Sequence, residues 1–270
     1  MMSTTEIHST AVVADGAVIG EGCTIGPFSV IGPHVRLGKS NRVMSHVVLD
    51  GHTEFGDYNT IYQFASIGAA PQDLKYRGEP STVTIGNRNI IREYVTIQPG
   101  TCGGGMKTTV GDQNLLMGAT HVGHDTIVGN GNIIANGAAL AGHVTVGSYV
   151  TIGGLCGIHQ FVRLGDYSFL GGGAMVVKDI PPYCIAQGDR AVLSGLNVVG
   201  LERRGFSAAT VQRIKALYRQ MFLSQGVWKE KLSEAETSVK DFPEGAFFVD
   251  FLKKSDRGIT LTRRRSASAE

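Results

Sequence analysis

From about residue 7 to residue 181 an aliphatic residue opens a new unit every six positions, often followed by Gly, with a small residue four places after the opener. The run Ile19-Gly20-Glu21-Gly22-Cys23-Thr24, Ile25-Gly26-Pro27-Phe28-Ser29-Val30, Ile31-Gly32 shows the pattern, and it resumes at Val110-Gly111, Val122-Gly123, Val128-Gly129 and Ile152-Gly153. A period of six matches neither the 3.6-residue turn of an α-helix nor the two-residue alternation of a half-buried strand. It is the period of a solenoid, whose units bury their apolar faces only by stacking on one another.

The openers form an unbroken ladder from residue 7 to Ile67, return in phase at Ile85, Ile91 and Ile97, then shift by one residue and run from Val110 to Val176. Two insertions interrupt them, near 69–84 and 98–109. Three hexads predict one triangular coil of 18 residues, with short parallel strands on three faces and openers stacked in dry columns. The residues four places on (Ala11, Ala17, Ser29, Ala65, Asn114, Thr126, Ala138, Val144, Val150) point inward beside corners, and repeated Gly and Asn are expected to supply unusual corner dihedrals. The hexad repeat implies a left-handed coil, against the usual crossover hand. The predicted fold is therefore mainly β: a left-handed parallel β-helix over residues 1–190, then a small α-helical domain over 191–270. In the latter, Ser207 caps a helix with Val211, Ile214, Leu217, Tyr218, Met221 and Phe222 on one stripe. Weaker helical patterns cover 228–240 and 244–252, and Arg263-Arg264-Arg265 begins a frayed end.

Glycine fills 37 of 270 positions without the every-third-residue spacing of collagen, and 42% hydrophobic content disfavours disorder. A net charge of +2 argues against a nucleic-acid binder. Residues 201–270 nevertheless hold 14 of the 25 basic and only 9 of the 23 acidic side chains, which suits docking of an acidic partner. The four cysteines lack paired or metal-like spacing, and Cys23 and Cys156 fall at inward positions. With no apolar run long enough to span a bilayer and no signal-peptide pattern, a reducing cytoplasm is expected.

Four of eight histidines lie between residues 121 and 159: His121, His124, His143 and His159. None is an opener, so they face outward or sit at corners. His124-Asp125 pairs an imidazole with a carboxylate that can fix its tautomer and raise its basicity, the arrangement of a general base for a hydroxyl. Gly142 lies one 18-residue coil above His124, where a backbone N–H would stabilise an oxyanion. The chemistry suggested is acyl transfer without a covalent enzyme intermediate. The stretch from Gly100 to Thr108 has the wrong spacing and setting for a phosphate-binding loop.

Further motifs narrow this. Ser45-His46-Val47-Val48, Ile61-Tyr62-Gln63-Phe64, Gln72-Asp73-Leu74-Lys75-Tyr76, Gly78-Glu79-Pro80, His121-Val122-Gly123-His124-Asp125, Ala141-Gly142-His143, Ile158-His159-Gln160-Phe161, Pro181-Pro182-Tyr183 and Arg203-Arg204-Gly205-Phe206-Ser207 lie between residues 45 and 207. Together they resemble the acyl-carrier-protein–UDP-N-acetylglucosamine O-acyltransferases, the family that begins lipid A synthesis in Gram-negative bacteria. The resemblance implies a homotrimer with clefts between subunits. A (3R)-3-hydroxyacyl group would pass from the phosphopantetheine thioester of acyl carrier protein to the glucosamine 3-hydroxyl of UDP-N-acetylglucosamine, with no metal or other cofactor. It gives His124 as base, Asp125 as its orienting partner and Gly142 as oxyanion donor. Gln72, Asp73, Lys75, His121, His143 and His159 match positions around the sugar nucleotide and pantetheine; Gln160, Asn197 and Arg203 match nucleotide contacts. Arg203 and Arg204 suit the diphosphate and an acidic carrier. Gly172 matches the position that limits chain length, so an open groove for a long acyl chain is expected.

Two departures stand out: Val199 where the family carries Glu, and Gln98 where it carries His. They leave open a 3-amino sugar acceptor, which would yield an amide. From another class, the imidazoles of His121, His124 and His143 also suggest a zinc carbonic anhydrase of the γ type, although the expected ligand spacing is absent.

Overall fold

The computed structural model describes residues 4–263; the basic run from Arg264 onward lies outside them. Short strands, most of two residues, assemble into three sheets of 11, 9 and 8 strands. The first face begins with Glu6–Ile7 and Thr24–Ile25, the second with Val12–Val13 and Val30–Ile31, and the third with Val18–Ile19 and Arg36–Leu37. Each strand pairs in parallel with the strand one coil away, as Thr24 with Arg42 and Ile25 with Val43. The openers are the inward residues of these strands. Ile31, Leu49, Ile61, Ile91, Leu116 and Ile152 are wholly excluded from solvent, each such side chain worth ~1.5–3 kcal/mol of burial.

The insertions obey the same geometry. Between Thr60 and Ile90 one coil spans 30 residues instead of 18, an excess of two hexads, so the sequence beat returns in phase. Between Ile90 and Leu115 it spans 25, one hexad and one residue too many, and this produces the phase slip. In space nothing slips: Ile97 still pairs with Val122, opener on opener. The strands resume at Thr82 and Lys107, two residues before the expected faces, so the excursions are shorter than their sequence gaps.

Glycine plays two parts: at corners such as Gly16, Gly22, Gly131 and Gly137 it takes the positive φ expected of it, and beside the strands it makes room for the next coil. Corner positions with positive φ are often aromatic or charged, among them Phe28, Tyr58, Tyr94 and Arg88. The Gly after an opener is needed for space: a Cβ on Gly26 would come 2.7 Å from the carbonyl carbon of Met44 in the next coil. The third corner, between the third and first faces, also holds an internal amide ladder absent from the sequence reading. Asn59 Nδ2 donates to Asn41 Oδ1 (2.9 Å) and to the Gly86 carbonyl (2.9 Å), and Asn89 and Asn114 repeat the pattern. Each amide thus satisfies a buried carbonyl that the tight corner leaves unpaired.

Beyond the prism, Cys184–Gln187 and Val192–Leu196 form an antiparallel hairpin that extends the first sheet. Four helices follow: α1 (Val198–Arg203), α2 (Ala208–Tyr218), α3 (Trp228–Ser238) and α4 (Pro243–Lys253). Ser207 Oγ accepts from Thr210 N–H at 3.1 Å to cap α2, which runs on into a π-helical turn, Arg219–Leu223. Val211, Ile214, Leu217, Tyr218 and Met221 are buried, as their stripe predicts. The chain then returns to the prism through bridges from Ile259 to Asp179 and from Thr262 to Leu193.

Replacing Asn89 by Leu should lower unfolding free energy by about 3 kcal/mol, because buried amides above and below lose their partners. A denaturation midpoint equal to that of the unaltered protein would show that the ladder contributes nothing.

Candidate active site

Both insertions leave the prism at its second corner, between the second and third faces, and the histidine cluster occupies the coils just beyond them. Asp125 sits in the left-handed corner conformation (φ 58°), which Asp tolerates better than most residues. Its backbone N–H donates to Thr108 Oγ1 at 2.8 Å. Its side chain is fully buried. His124 Nδ1 lies 2.9 Å from Asp125 Oδ2. Since a carboxylate accepts, the neutral ring carries its proton on Nδ1 and presents the Nε2 lone pair, the tautomer a base requires. Asp125 also accepts from Thr101: the backbone N–H at 2.9 and 3.1 Å and the hydroxyl at 2.7 Å.

Gly142 stacks on the His124 ring one coil away, and a Cβ there would overlap the imidazole. The Gly142 N–H has no hydrogen-bond partner among the described residues. A ring nitrogen with a free lone pair and an unpaired N–H thus meet at one place. His143 donates its backbone N–H to the His124 carbonyl at 2.9 Å. Its ring meets that of His124 edge-on at 5.0 Å and lies flat on Phe161 at 4.4 Å. His121 projects from the second face, with Nδ1 2.7 Å from Thr96 Oγ1. Burial holds both His121 and His143 below the ordinary imidazole range, and for His143 this outweighs the opposing pull of Asp125 and Asp73.

A cleft of about 470 Å³ opens along the second face, with Gln72, Gln98, His121, His124, Gly142 and His159 on its walls. Gln98 Oε1 accepts the Gln72 N–H at 3.1 Å, so the residue that departs from the family pattern ties the first insertion to the cleft floor. Asp73 Oδ1 accepts the Lys75 N–H at 2.9 Å, and Lys75 itself is exposed. At the far end Gln160 also lines the cleft, and the Arg257 guanidinium donates to His159 Nδ1 at 2.8 Å.

The remaining sequence candidates lie elsewhere on the chain. Gly172 lines a separate cleft of about 890 Å³ at the first corner, between the first and second faces. The Asn197 side chain caps α1, accepting from Gly200 N–H at 3.2 Å and donating to the Tyr167 carbonyl at 3.0 Å. Arg203 is exposed, and Arg204 lies over the Tyr149 ring at 4.6 Å, on the third-corner side. Val199 is exposed on α1. One chain therefore gathers His124, Asp125, Gly142, His121, His143, His159, Gln160 and Gln72 about one cleft, and leaves Gly172, Asn197, Arg203 and Arg204 apart from it. Thr101, Thr108 and Arg257 were missed from sequence; the first two lie in the glycine-rich stretch judged only against a phosphate loop. Histidine ligands to zinc are not favoured. The group with metal-like spacing among the described residues is His124, Asp125 and His143, not three imidazoles, and its carboxylate is already engaged by Thr101.

An interrupted hexad prism with an imidazole–carboxylate pair on its flank defines a hexapeptide-repeat acyltransferase. Residues 2–33 match the model of the bacterial transferase hexapeptide (six repeats), and residues 179–260 that of UDP N-acetylglucosamine O-acyltransferase, domain 2. The chain is 50% identical over 210 residues to an acyl-[acyl-carrier-protein]–UDP-N-acetylglucosamine O-acyltransferase of Myxococcus xanthus, covering 78% of this chain and 81% of that one. Among solved structures it is similar to LpxA from Acinetobacter baumannii (42% identity, TM-score 0.91, 94% of this chain and 99% of that). It is also similar to the UDP-N-acetylglucosamine acyltransferase of Francisella novicida (37%, TM-score 0.93, 98% and 96%). The chain belongs to the acyl-[acyl-carrier-protein]–UDP-N-acetylglucosamine O-acyltransferase family, and its prism is a left-handed β-helix.

Because His121 and His143 sit below the unfolded histidine value of 6.5, the unfolded chain binds more protons once pH falls past that value. Their contribution to stability is present above it and is lost as pH drops through the depressed folded values. Melting temperature should therefore fall on acidification through this window. Replacing His121 by Gln should flatten the fall; an unaltered slope would contradict the burial argument.

Proposed function

We propose that the protein transfers a (3R)-3-hydroxyacyl chain from acyl carrier protein to the glucosamine 3-hydroxyl of UDP-N-acetylglucosamine, the first step of lipid A biosynthesis. One observation carries the reading: the His124 Nδ1–Asp125 hydrogen bond directs Nε2 of the neutral ring, as a base, to the place of the unpaired Gly142 N–H. Nε2 takes the proton of the sugar hydroxyl as its oxygen attacks the thioester carbonyl. A C–O bond forms, and the carbonyl oxygen becomes an oxyanion that accepts from Gly142. When the intermediate collapses, the C–S bond breaks and the imidazolium gives its proton to the departing pantetheine thiolate, releasing the free thiol. A positioned base of this kind is worth about 10²–10⁴-fold in rate, and an oxyanion donor about 10²–10³-fold. The Myxococcus xanthus relative is named for O-acyl transfer to UDP-N-acetylglucosamine, so an amide-forming reaction on a 3-amino sugar is not favoured.

The separation of Gly172, Asn197, Arg203 and Arg204 from His124 within one chain supports a homotrimer, in which a neighbour's first corner and helical domain complete the cleft. Gly172 then bounds the acyl groove, the arginines meet the diphosphate, and the basic C-terminal module faces the acidic carrier. Among the described residues no helix is long and apolar enough to cross a membrane. A cytoplasmic site of action, with the carrier's thioester as the only activated group, agrees with soluble donor and acceptor.

The test is transfer to UDP-N-acetylglucosamine from carrier proteins bearing 3-hydroxyacyl chains of graded length. His124→Ala should lose about 10²–10⁴-fold in kcat, and near-normal transfer by it would dismiss the base assignment. Gly172→Met should move donor preference to shorter chains; an unmoved preference would dismiss its role in the groove.

A further inference from the structure

The second insertion is tightly built for an excursion that contributes little to the prism core. Thr101 presents two donors to one carboxylate: its hydroxyl to Asp125 Oδ2 at 2.7 Å, and its N–H to Oδ1 and Oδ2 at 2.9 and 3.1 Å. A hydroxyl facing a carboxylate can only donate. Thr101 is itself held from behind, because its carbonyl accepts the N–H groups of Gly104 (3.0 Å) and Met106 (3.1 Å). Its neighbour Cys102 is latched across to the first insertion, the N–H and Sγ donating to Glu79 Oε1 at 3.3 and 2.8 Å. Gly104 lacks a side chain where a Cβ would overlap the Asp125 carboxyl.

We infer that the insertion at 98–106 is a clamp for the catalytic carboxylate, with Thr101 as a positioning residue that fixes Asp125 and, through it, the ring of His124. The inference rests on the transfer chemistry proposed above. Oδ2 is shared by the Thr101 hydroxyl and His124 Nδ1–H. Thr101 therefore orients the carboxylate and also draws off part of its charge. Without the hydroxyl, Oδ2 becomes the stronger acceptor toward His124 and favours the imidazolium. The other titratable groups around the pair are His143, its Nε2 4.0 Å from Asp125 Oδ2, His121 beside His124, and Asp73 of the first insertion. They are the same in a Thr101 variant, so a shifted pH profile reports on the clamp.

Thr101→Val should lower kcat by about 10²-fold, the scale of a misplaced catalytic group, with KM for UDP-N-acetylglucosamine unchanged. The acid limb of its kcat/KM profile should move to higher pH, and Thr101→Ser should restore most of the rate and the limb. Wild-type kcat for Thr101→Val, or equal losses for Val and Ser, would overturn the clamp. If Thr101→Val does not fold, Gly104→Ala decides: lowered kcat at unchanged KM supports the clamp, and wild-type kcat overturns it. Absence of transfer by the unaltered enzyme is a distinct result, which removes the proposed function and the clamp with it.

Discussion

Everything in this molecule depends on coil-on-coil register. A two-residue strand offers too few hydrogen bonds to stand alone, so each coil is held by the aliphatic column beneath it and by parallel pairing one turn away. A one-residue slip on a face would turn an opener outward and a polar neighbour inward. Extra residues are tolerated only where they leave the register intact, at a corner. Both long excursions leave from the second corner, and after each the openers meet their partners again.

The constraint also explains why the site is where it is. The third corner is closed by its asparagine ladder, and beside it Asp57, Asn87 and Asp112 each accept a backbone N–H from the preceding coil. The second corner gives up regularity instead. Its coils carry the insertions, the buried Asp125 carboxylate and the edge-on imidazoles of His124 and His143, and the backbone of the next coil sets Gly142 against His124. Preorganised donors and a base set on a scaffold that does not move are what transfer chemistry needs.

Much of this was legible in the sequence, for identifiable reasons. Ile25, Ile31 and Leu37 announce the period because burial selects them one by one. Gly142 was placed over His124 by counting 18 residues, and the two rings of His124 and His143 do meet. Only half of glycine's purpose was legible: Gly22 and Gly131 take the expected positive φ, but the close approach of neighbouring coils at Gly26 leaves the same mark in the sequence. Asn114 counts in the sequence as a small inward residue, although its amide belongs to one continuous ladder with Asn41, Asn59 and Asn89. Thr101 could not be found by counting, because insertion residues obey no register. Its bond to Asp125 depends on a loop path that periodicity does not encode. The placement of Gly172, Asn197 and Arg203 away from His124 likewise lies beyond an intrachain reading, because it concerns how copies meet.

The central claim is that the His124–Asp125 pair serves as a base in direct transfer, with no acyl group resting on the enzyme. Intact-mass measurement of the protein mixed with 3-hydroxyacyl carrier protein, before and after addition of UDP-N-acetylglucosamine, tests it most directly. The account predicts unmodified enzyme throughout, with acylated sugar nucleotide formed only on the second addition. An enzyme heavier by one acyl chain before the sugar is added, and discharged by it, would contradict the account.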